Sequence, residues 1–98
     1  MEKENLLKRT LEDLARIYPI GLYEYLFKYN VDTYNHLLYM ESRIDRAFLS
    51  GTIAELKVIL REYWKIHILA MKEFEKIDQS RLDIPKVRKE MDEERTRA

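Results

Sequence analysis

Hydrophobic side chains recur at alternating steps of four and three residues from Thr52 to about Asp78. This spacing places them on one face of a long α-helix, since such a helix makes one turn every 3.6 residues. The face, which we call the seam, consists of Leu56, Leu60, Tyr63, His67, Ala70, Phe74 and Ile77. Thr52 and Glu55 have the spacing of a capping box, which predicts that the helix begins here. The helix would be about 40 Å long, enough to span the domain or to project beyond it.

Three shorter amphipathic patterns precede the long one. The first runs from about Glu4 to Tyr18 and stops there, because Pro19 disfavours helical geometry in the residue before it. The second, from about Pro19 to Tyr29, would be opened by the proline itself. The third, from about Thr33 to Leu49, follows residues 30–33, which supply a turn and an N-cap. No stretch alternates apolar and polar residues with the period of a strand, so the pattern predicts an all-α fold.

The connection between the third helix and the long one is very short and consists of Ser50, Gly51 and Thr52. We expect Gly51 to adopt the left-handed conformation that commonly ends a helix, after which Thr52 starts the next one. A link this short makes its two helices antiparallel neighbours. The sequence therefore predicts a small helical bundle centred on a long antiparallel helix hairpin.

The second helix has two apolar faces, and only Glu24 and Lys28 form a polar strip between them. A helix that is apolar around most of its circumference is either sandwiched inside a bundle or covered by another subunit. The first alternative makes it a central core helix. The second makes it an interface, because aromatic residues are enriched in such contacts. The candidate interface residues are Ile20, Tyr23, Tyr25, Phe27 and Tyr29.

Residues 79–98 form a heavily charged C-terminal segment. Asp83 is placed to cap a helix there, with Pro85 in the first turn. Val87 and Met91 provide only a thin apolar line, so we expect this helix to pack loosely, to fray or to dock on another chain. Residues 1–98 then form a single domain of four main helices and a charged C-terminal helix.

The chain has 98 residues and as many acidic as basic side chains, 18 of each, so its formal net charge is zero. Neutrality removes any general attraction to nucleic acid or to an anionic membrane, although it allows local patches. The absence of cysteine excludes disulfides and thiol chemistry. The N-terminal segment lacks the apolar core of a signal peptide, and the longest near-apolar run, Ile66 to Met71, is too short to span a bilayer. We expect a cytoplasmic protein with no membrane partner.

Few residues offer catalytic or metal-binding chemistry. His67 lies in the seam, where a hydrogen bond to a tyrosine or a carboxylate is the simplest interpretation. Glu41 falls in the apolar face of the third helix with Asp45 beside it, and the hairpin should bring Glu41 near Arg61 or Tyr63. Glu41 is then either a buried hydrogen-bonding group or a general base partnered by Asp45. Because no nucleophile lies near and no Glu-x-x-His pair occurs, we predict no enzyme activity, cofactor or metal.

The long helix also carries a row of cations within about 100° of its outer surface. This basic stripe consists of Lys57, Arg61, Lys65, Lys72 and Lys76. It could follow a phosphate backbone. It could equally be a solvated face with lateral partners, because Glu62–Lys65 and Glu73–Lys76 have the spacing of i,i+3 pairs.

Two classes of function remain after these exclusions. The sequence favours a non-enzymatic protein–protein interaction or regulatory module that forms a homodimer and binds an unidentified protein partner. The alternative is an accessory nucleic-acid-binding protein that uses the basic stripe.

Overall fold

The computed structural model describes residues 1–97, which form five α-helices and one short 3-10 turn and contain no strand. The helices are α1 (Glu2–Ile17), α2 (Leu22–Tyr29), α3 (Val31–Ser50), α4 (Ile53–Glu75) and α5 (Ile84–Arg97). The 3-10 turn, Gln79–Arg81, lies between α4 and α5. The predicted all-α fold is confirmed for this part of the chain, whereas the predicted helix end at Ala98 lies outside it.

The predicted hairpin is confirmed, since α3 and α4 share the most extensive contact in the bundle. The seam of α4 is buried as expected, except that Ile77, beyond the helix end, is only partly buried. From α3, Leu37 and Met40 are fully buried against the rest of the core. The Tyr63 hydroxyl lies 3.0 Å from the Glu41 carboxyl group across the hairpin, as antiparallel packing around the short link requires.

The prediction of a left-handed Gly51 is wrong. Its φ of −93° and ψ of 179° are extended, and Thr52 is extended as well. The Thr52 hydroxyl accepts a hydrogen bond from the Glu55 backbone N–H at 3.1 Å, so this half of the predicted capping box is confirmed. A Cβ on residue 51 would lie 3.0 Å from the Cα of Ala47. Crowding by the last turn of α3, and not backbone handedness, therefore favours glycine here.

The second helix begins at Leu22 and not at Pro19 as predicted. Tyr18 is extended, as expected before a proline, so α1 ends just before it. Gly21 then turns the chain with a φ of 93°, a left-handed conformation that strongly favours glycine. A Cβ there would also lie 2.8 Å from Cδ1 of Ile84 in α5. Residues 19–21 are therefore a turn that brings α1 and α5 to the start of α2.

The contacts of α2 agree with the first of its two predicted alternatives, a helix sandwiched inside the bundle. It contacts α3, α4 and α5, so it is a core helix of the bundle. Leu22 and Leu26 have no exposed surface, and Tyr25 is buried. The sequence predicted that Glu24 lies on a polar strip, but this side chain is only 5% exposed. It forms a 2.9 Å salt bridge with Arg88 of α5.

The C-terminal helix packs on its own chain. Val87 and Met91 are both buried, and α2 provides the main contact surface of α5. The Asp83 carboxylate accepts a hydrogen bond from the Lys86 backbone N–H at 3.2 Å, which confirms the predicted cap. The thin apolar line is therefore sufficient to dock α5 because a buried ion pair to Glu24 lies beside it.

The long helix ends at Glu75 and is therefore shorter than the predicted segment from Thr52 to about Asp78. Its 23 residues correspond to about 35 Å, which fits within the longest dimension of the molecule, 42 Å. Asp78, predicted to end the helix, instead caps the 3-10 turn by accepting a hydrogen bond from the Ser80 backbone N–H. The length of α4 therefore gives no support to a dimer.

Candidate functional site

Four polar side chains from α2, α3 and α4 meet inside the bundle. The Tyr63 hydroxyl oxygen lies 3.0 Å from Glu41 Oε1 and 3.2 Å from the Tyr23 hydroxyl oxygen. The Tyr23 hydroxyl oxygen in turn lies 2.8 Å from His67 Nε2. We call the connected groups of Glu41, Tyr63, Tyr23 and His67 the polar chain. It crosses the hairpin and ties α2 to it.

Both ring nitrogens hold His67 in place. Its Nδ1 lies 2.8 Å from the backbone carbonyl oxygen of Tyr63, one turn earlier in α4. Because a carbonyl oxygen can only accept, Nδ1 carries a proton. Nε2 is therefore the acceptor for the Tyr23 hydroxyl whenever the imidazole is neutral. The predicted seam histidine with a tyrosine partner is confirmed.

Burial favours the neutral form of each group in the polar chain. It raises the pKa of the Glu41 carboxyl, and the hydrogen bond from Tyr63 only partly opposes this. It lowers the pKa of the His67 imidazole, again with partial opposition from a hydrogen bond, here to the Tyr63 carbonyl. Burial also raises the pKa of the Tyr23 and Tyr63 hydroxyls. The arrangement can hold a proton or pass one along its length.

Asp45 forms no hydrogen bond with Glu41 in the described residues, although its charge raises the pKa of the Glu41 carboxyl. Tyr63 lies against Glu41, as expected, but Asp45 and Arg61 are exposed. His36 is exposed on the outer side of α3. Within residues 1–97, no group of three or more His, Cys, Asp or Glu side chains is arranged to hold a metal ion. The tyrosine that completes the site comes from α2, and the sequence had placed it in the candidate interface.

The basic stripe is exposed along α4 throughout its length. The predicted lateral partners do not neutralise it. Glu73 accepts hydrogen bonds from Tyr25 at 2.7 Å and from Asn30 at 3.1 Å, so it is turned toward α2. In the part of the chain that the structure describes, no stripe side chain forms a salt bridge within 4.0 Å. Exposed Val58 and Leu69 lie on the same outer side of α4.

The candidate interface residues of the second helix are divided between core and surface. Tyr25 is buried and its hydroxyl donates to Glu73, while Tyr23 belongs to the polar chain. Ile20 and Tyr29 are 76% and 58% exposed. The fifth candidate, Phe27, is partly buried and lines a groove between α3 and α5.

This groove is open to solvent and has a volume of about 500 Å³. Its lining includes Phe27, Val31, Leu38, Met91, Glu94 and Arg95, and we call it the α3–α5 groove. Val31 and Leu38 remain 49% and 38% exposed. The sequence did not predict this groove, because the spacing of apolar residues within α3 and within α5 does not show how the two helices lie relative to each other.

None of the helices in residues 1–97 is both long and apolar enough to cross a membrane. Comparisons with protein-family models, with curated proteins and with solved structures gave no match. Function therefore has to be inferred from the polar chain and from the surfaces of the bundle.

Proposed function

We propose that the chain is a non-enzymatic helical interaction module that forms a homodimer through the α3–α5 groove. The observation that carries this proposal is the exposure of Val31 and Leu38 beside the apolar side chains of Phe27 and Met91. Covering such surface is favourable by roughly 25 cal/mol for each Å² of apolar area removed from water. A regulatory role toward a further protein partner would be exerted by the assembled dimer.

The charges at the groove favour a second copy as its occupant. Glu94 and Arg95, adjacent in α5, both line the groove. A two-fold contact brings the same surface of two copies together, so neighbouring opposite charges can pair across it. The basic stripe has the opposite property, because a two-fold contact through it would place cations against cations. The dimer contact therefore belongs at the groove and not on the outer face of α4.

The polar chain supports the non-enzymatic part of the proposal. Its groups are hydrogen-bonded to one another from Glu41 to His67, and none of them lines the groove. A catalytic acid or base has to come within hydrogen-bonding distance of a substrate proton. The groups of the polar chain, whose pKa values are shifted, instead face one another and join α2, α3 and α4.

The proposal is tested by the mass of the particle in solution. Light scattering at a concentration of tens of micromolar should report about 24 kDa, twice the chain mass of 12.0 kDa. Leu38→Asp puts a charge into the groove and should give the monomer. Leu49→Asp is the matched control, since Leu49 lies on the same helix, is 81% exposed and is outside the groove. A monomeric wild type, or equal dissociation in both variants, would rule out this interface.

A second candidate function, nucleic-acid binding, is favoured by the unpaired cations of the basic stripe. The test is a variant in which all five stripe residues are changed to Gln, with oligonucleotide binding measured at several salt concentrations. Binding through the stripe would weaken steeply with salt, because each phosphate contact releases counterions. We expect the wild type to bind neither single- nor double-stranded oligonucleotides at physiological salt. Salt-sensitive, sub-micromolar binding that the variant loses would reverse the ranking of the two functions.

A further inference from the structure

The polar chain needs one more hydrogen than its usual protonation states supply. It contains three contacts in series: Glu41 with Tyr63, Tyr63 with Tyr23, and Tyr23 with His67. Each contact requires one hydrogen between its two heavy atoms. The two tyrosine hydroxyls provide two. The Nδ1 proton of His67 is already used on the Tyr63 carbonyl oxygen, 2.8 Å away, so it cannot serve as the third.

With an ionised Glu41 and a neutral His67, one contact would be left without a hydrogen. Tyr23 would donate to His67 Nε2 and Tyr63 would donate to Glu41. The two hydroxyl oxygens, 3.2 Å apart, would then face each other with lone pairs only. Such an unsatisfied contact in a partly buried site is unfavourable.

We propose that Glu41, Tyr63, Tyr23 and His67 together form a binding site for one proton, which the folded chain holds more tightly than the unfolded chain does. The added proton completes all three hydrogen bonds in either of two arrangements. In the first, Glu41 is a carboxylic acid and donates to Tyr63, which donates to Tyr23, which donates to neutral His67. In the second, His67 is an imidazolium and every bond runs in the opposite direction, ending on the Glu41 carboxylate. A shift of hydrogens along the chain interconverts them.

The surroundings of the site favour the first arrangement, in which no member is charged. Burial raises the pKa of Glu41 and lowers that of His67, and both shifts place the proton on Glu41. The exposed carboxylate of Asp45 acts in the same direction. Arg95 of α5 opposes it but forms no salt bridge with Glu41 in the described residues. This inference does not depend on the dimer.

Three further groups lie near the polar chain without taking part in it. Tyr18, in the turn before α2, has its ring 5.5 Å from that of Tyr23 and is influenced by the charges of Glu24 and Arg88. Burial raises the pKa of the Tyr18 hydroxyl to about 12, so it stays protonated over the range that matters here. Glu24 and Arg88 are paired with each other at 2.9 Å. Among the described residues, no other titratable side chain is hydrogen-bonded to the polar chain.

The proton makes stability depend on pH in a defined direction. A free Glu carboxyl has a pKa of about 4.3, so the unfolded chain releases this proton near that pH while the folded chain retains it. A group whose pKa is raised on folding contributes stability that is complete below its unfolded pKa and is lost as pH rises through its folded pKa. Glu41 should therefore stabilise the fold at pH 4 relative to pH 7.

Glu41→Gln isolates this effect, because the Gln amide donates to Tyr63 without taking up a proton. The folding equilibrium constants of wild type and variant are measured by urea denaturation between pH 4 and pH 7. The ratio of the wild-type constant to the variant constant should fall over this interval, by about tenfold for each pH unit that separates the folded from the unfolded pKa of Glu41. Asp45→Asn, an exposed carboxylate one turn away in α3, is the matched control and should keep a nearly constant ratio.

A second measurement does not depend on the folding of any variant. The side-chain carboxyl ¹³C signal of Glu41 is followed by NMR in the wild-type protein as pH is raised. We expect Glu41 to ionise at a higher pH than a free Glu side chain, with simultaneous changes in the His67 ring nitrogen signals. A Glu41 midpoint no higher than that of a free Glu side chain, or a Glu41→Gln ratio that stays as constant as that of Asp45→Asn, would overturn the shared-proton site.

Discussion

Replacing Arg88 by Met should loosen the C-terminal helix from the bundle. Glu24 is 5% exposed, and Arg88, 2.9 Å away, is its only salt-bridge partner in the described residues. Met keeps much of the aliphatic stem of Arg88 but leaves the buried carboxylate without its cation. Removing one partner from a buried pair costs about 3–5 kcal/mol. The Arg88 side chain is 61% exposed, so water can replace part of its interaction; we therefore expect about 2–3 kcal/mol.

The free energy of unfolding is obtained from urea denaturation followed by circular dichroism at pH 7. Hydrogen exchange should then show where the stability is lost. Since α5 has its main contact with α2, its amides should lose protection before those of the hairpin. Lys89→Met is the matched control, because Lys89 is exposed on the same helix and outside the salt bridges of the described residues. Its effect should stay within about 0.5 kcal/mol.

A double variant separates the ion pair from the packing. Glu24→Met combined with Arg88→Met removes the stranded carboxylate, and exchanging a buried ion pair for apolar side chains is often neutral or stabilising. We expect the double variant to recover most of the stability lost by Arg88→Met. Two results would refute this reasoning: a single variant no less stable than Lys89→Met, or a double variant no more stable than the single one.

Three further substitutions test the backbone and the core, each by thermal or urea unfolding. Gly21→Ala should cost about 1–2 kcal/mol, because of the φ of 93° and the close approach of Ile84, and adding Ile84→Ala should relieve only the steric part. Thr52→Ala should cost about 1 kcal/mol through the lost cap on the Glu55 N–H, and a neutral result would show that the cap is not needed. Phe74→Ala, at a side chain with 1% exposure, should cost about 3–5 kcal/mol, and a loss below 1 kcal/mol would contradict the central place of the seam.

Local patterns were sufficient for the hairpin. The period of the seam selects one face of α4, and that face is buried because a helix exposes the same side chains to its neighbour along its whole length. The short link at Gly51 fixes which helix that neighbour is. Together they predict that Glu41 lies near Arg61 or Tyr63, and the Tyr63 hydroxyl oxygen is 3.0 Å from Glu41 Oε1. The caps at Thr52 and Asp83 were also predicted, since each side chain accepts a hydrogen bond from a backbone N–H three residues later. The third helix, however, begins at Val31 with Asn30 as its cap and not at Thr33.

The packing of α2 and α5 was decided only by the tertiary structure. The salt bridge between Glu24 and Arg88 and the hydrogen bond between Tyr23 and His67 join residues 64 and 44 positions apart. Helical periodicity states which side chains share a face, but not how that face is rotated and docked against a distant element. A Glu beside apolar residues therefore reads as a solvent-exposed strip, although the cation that allows its burial lies in another helix. The sequence determined the helices and the hairpin through the spacing of near neighbours. The polar chain and the α3–α5 groove exist only because non-local packing brings α2 and α5 against the hairpin.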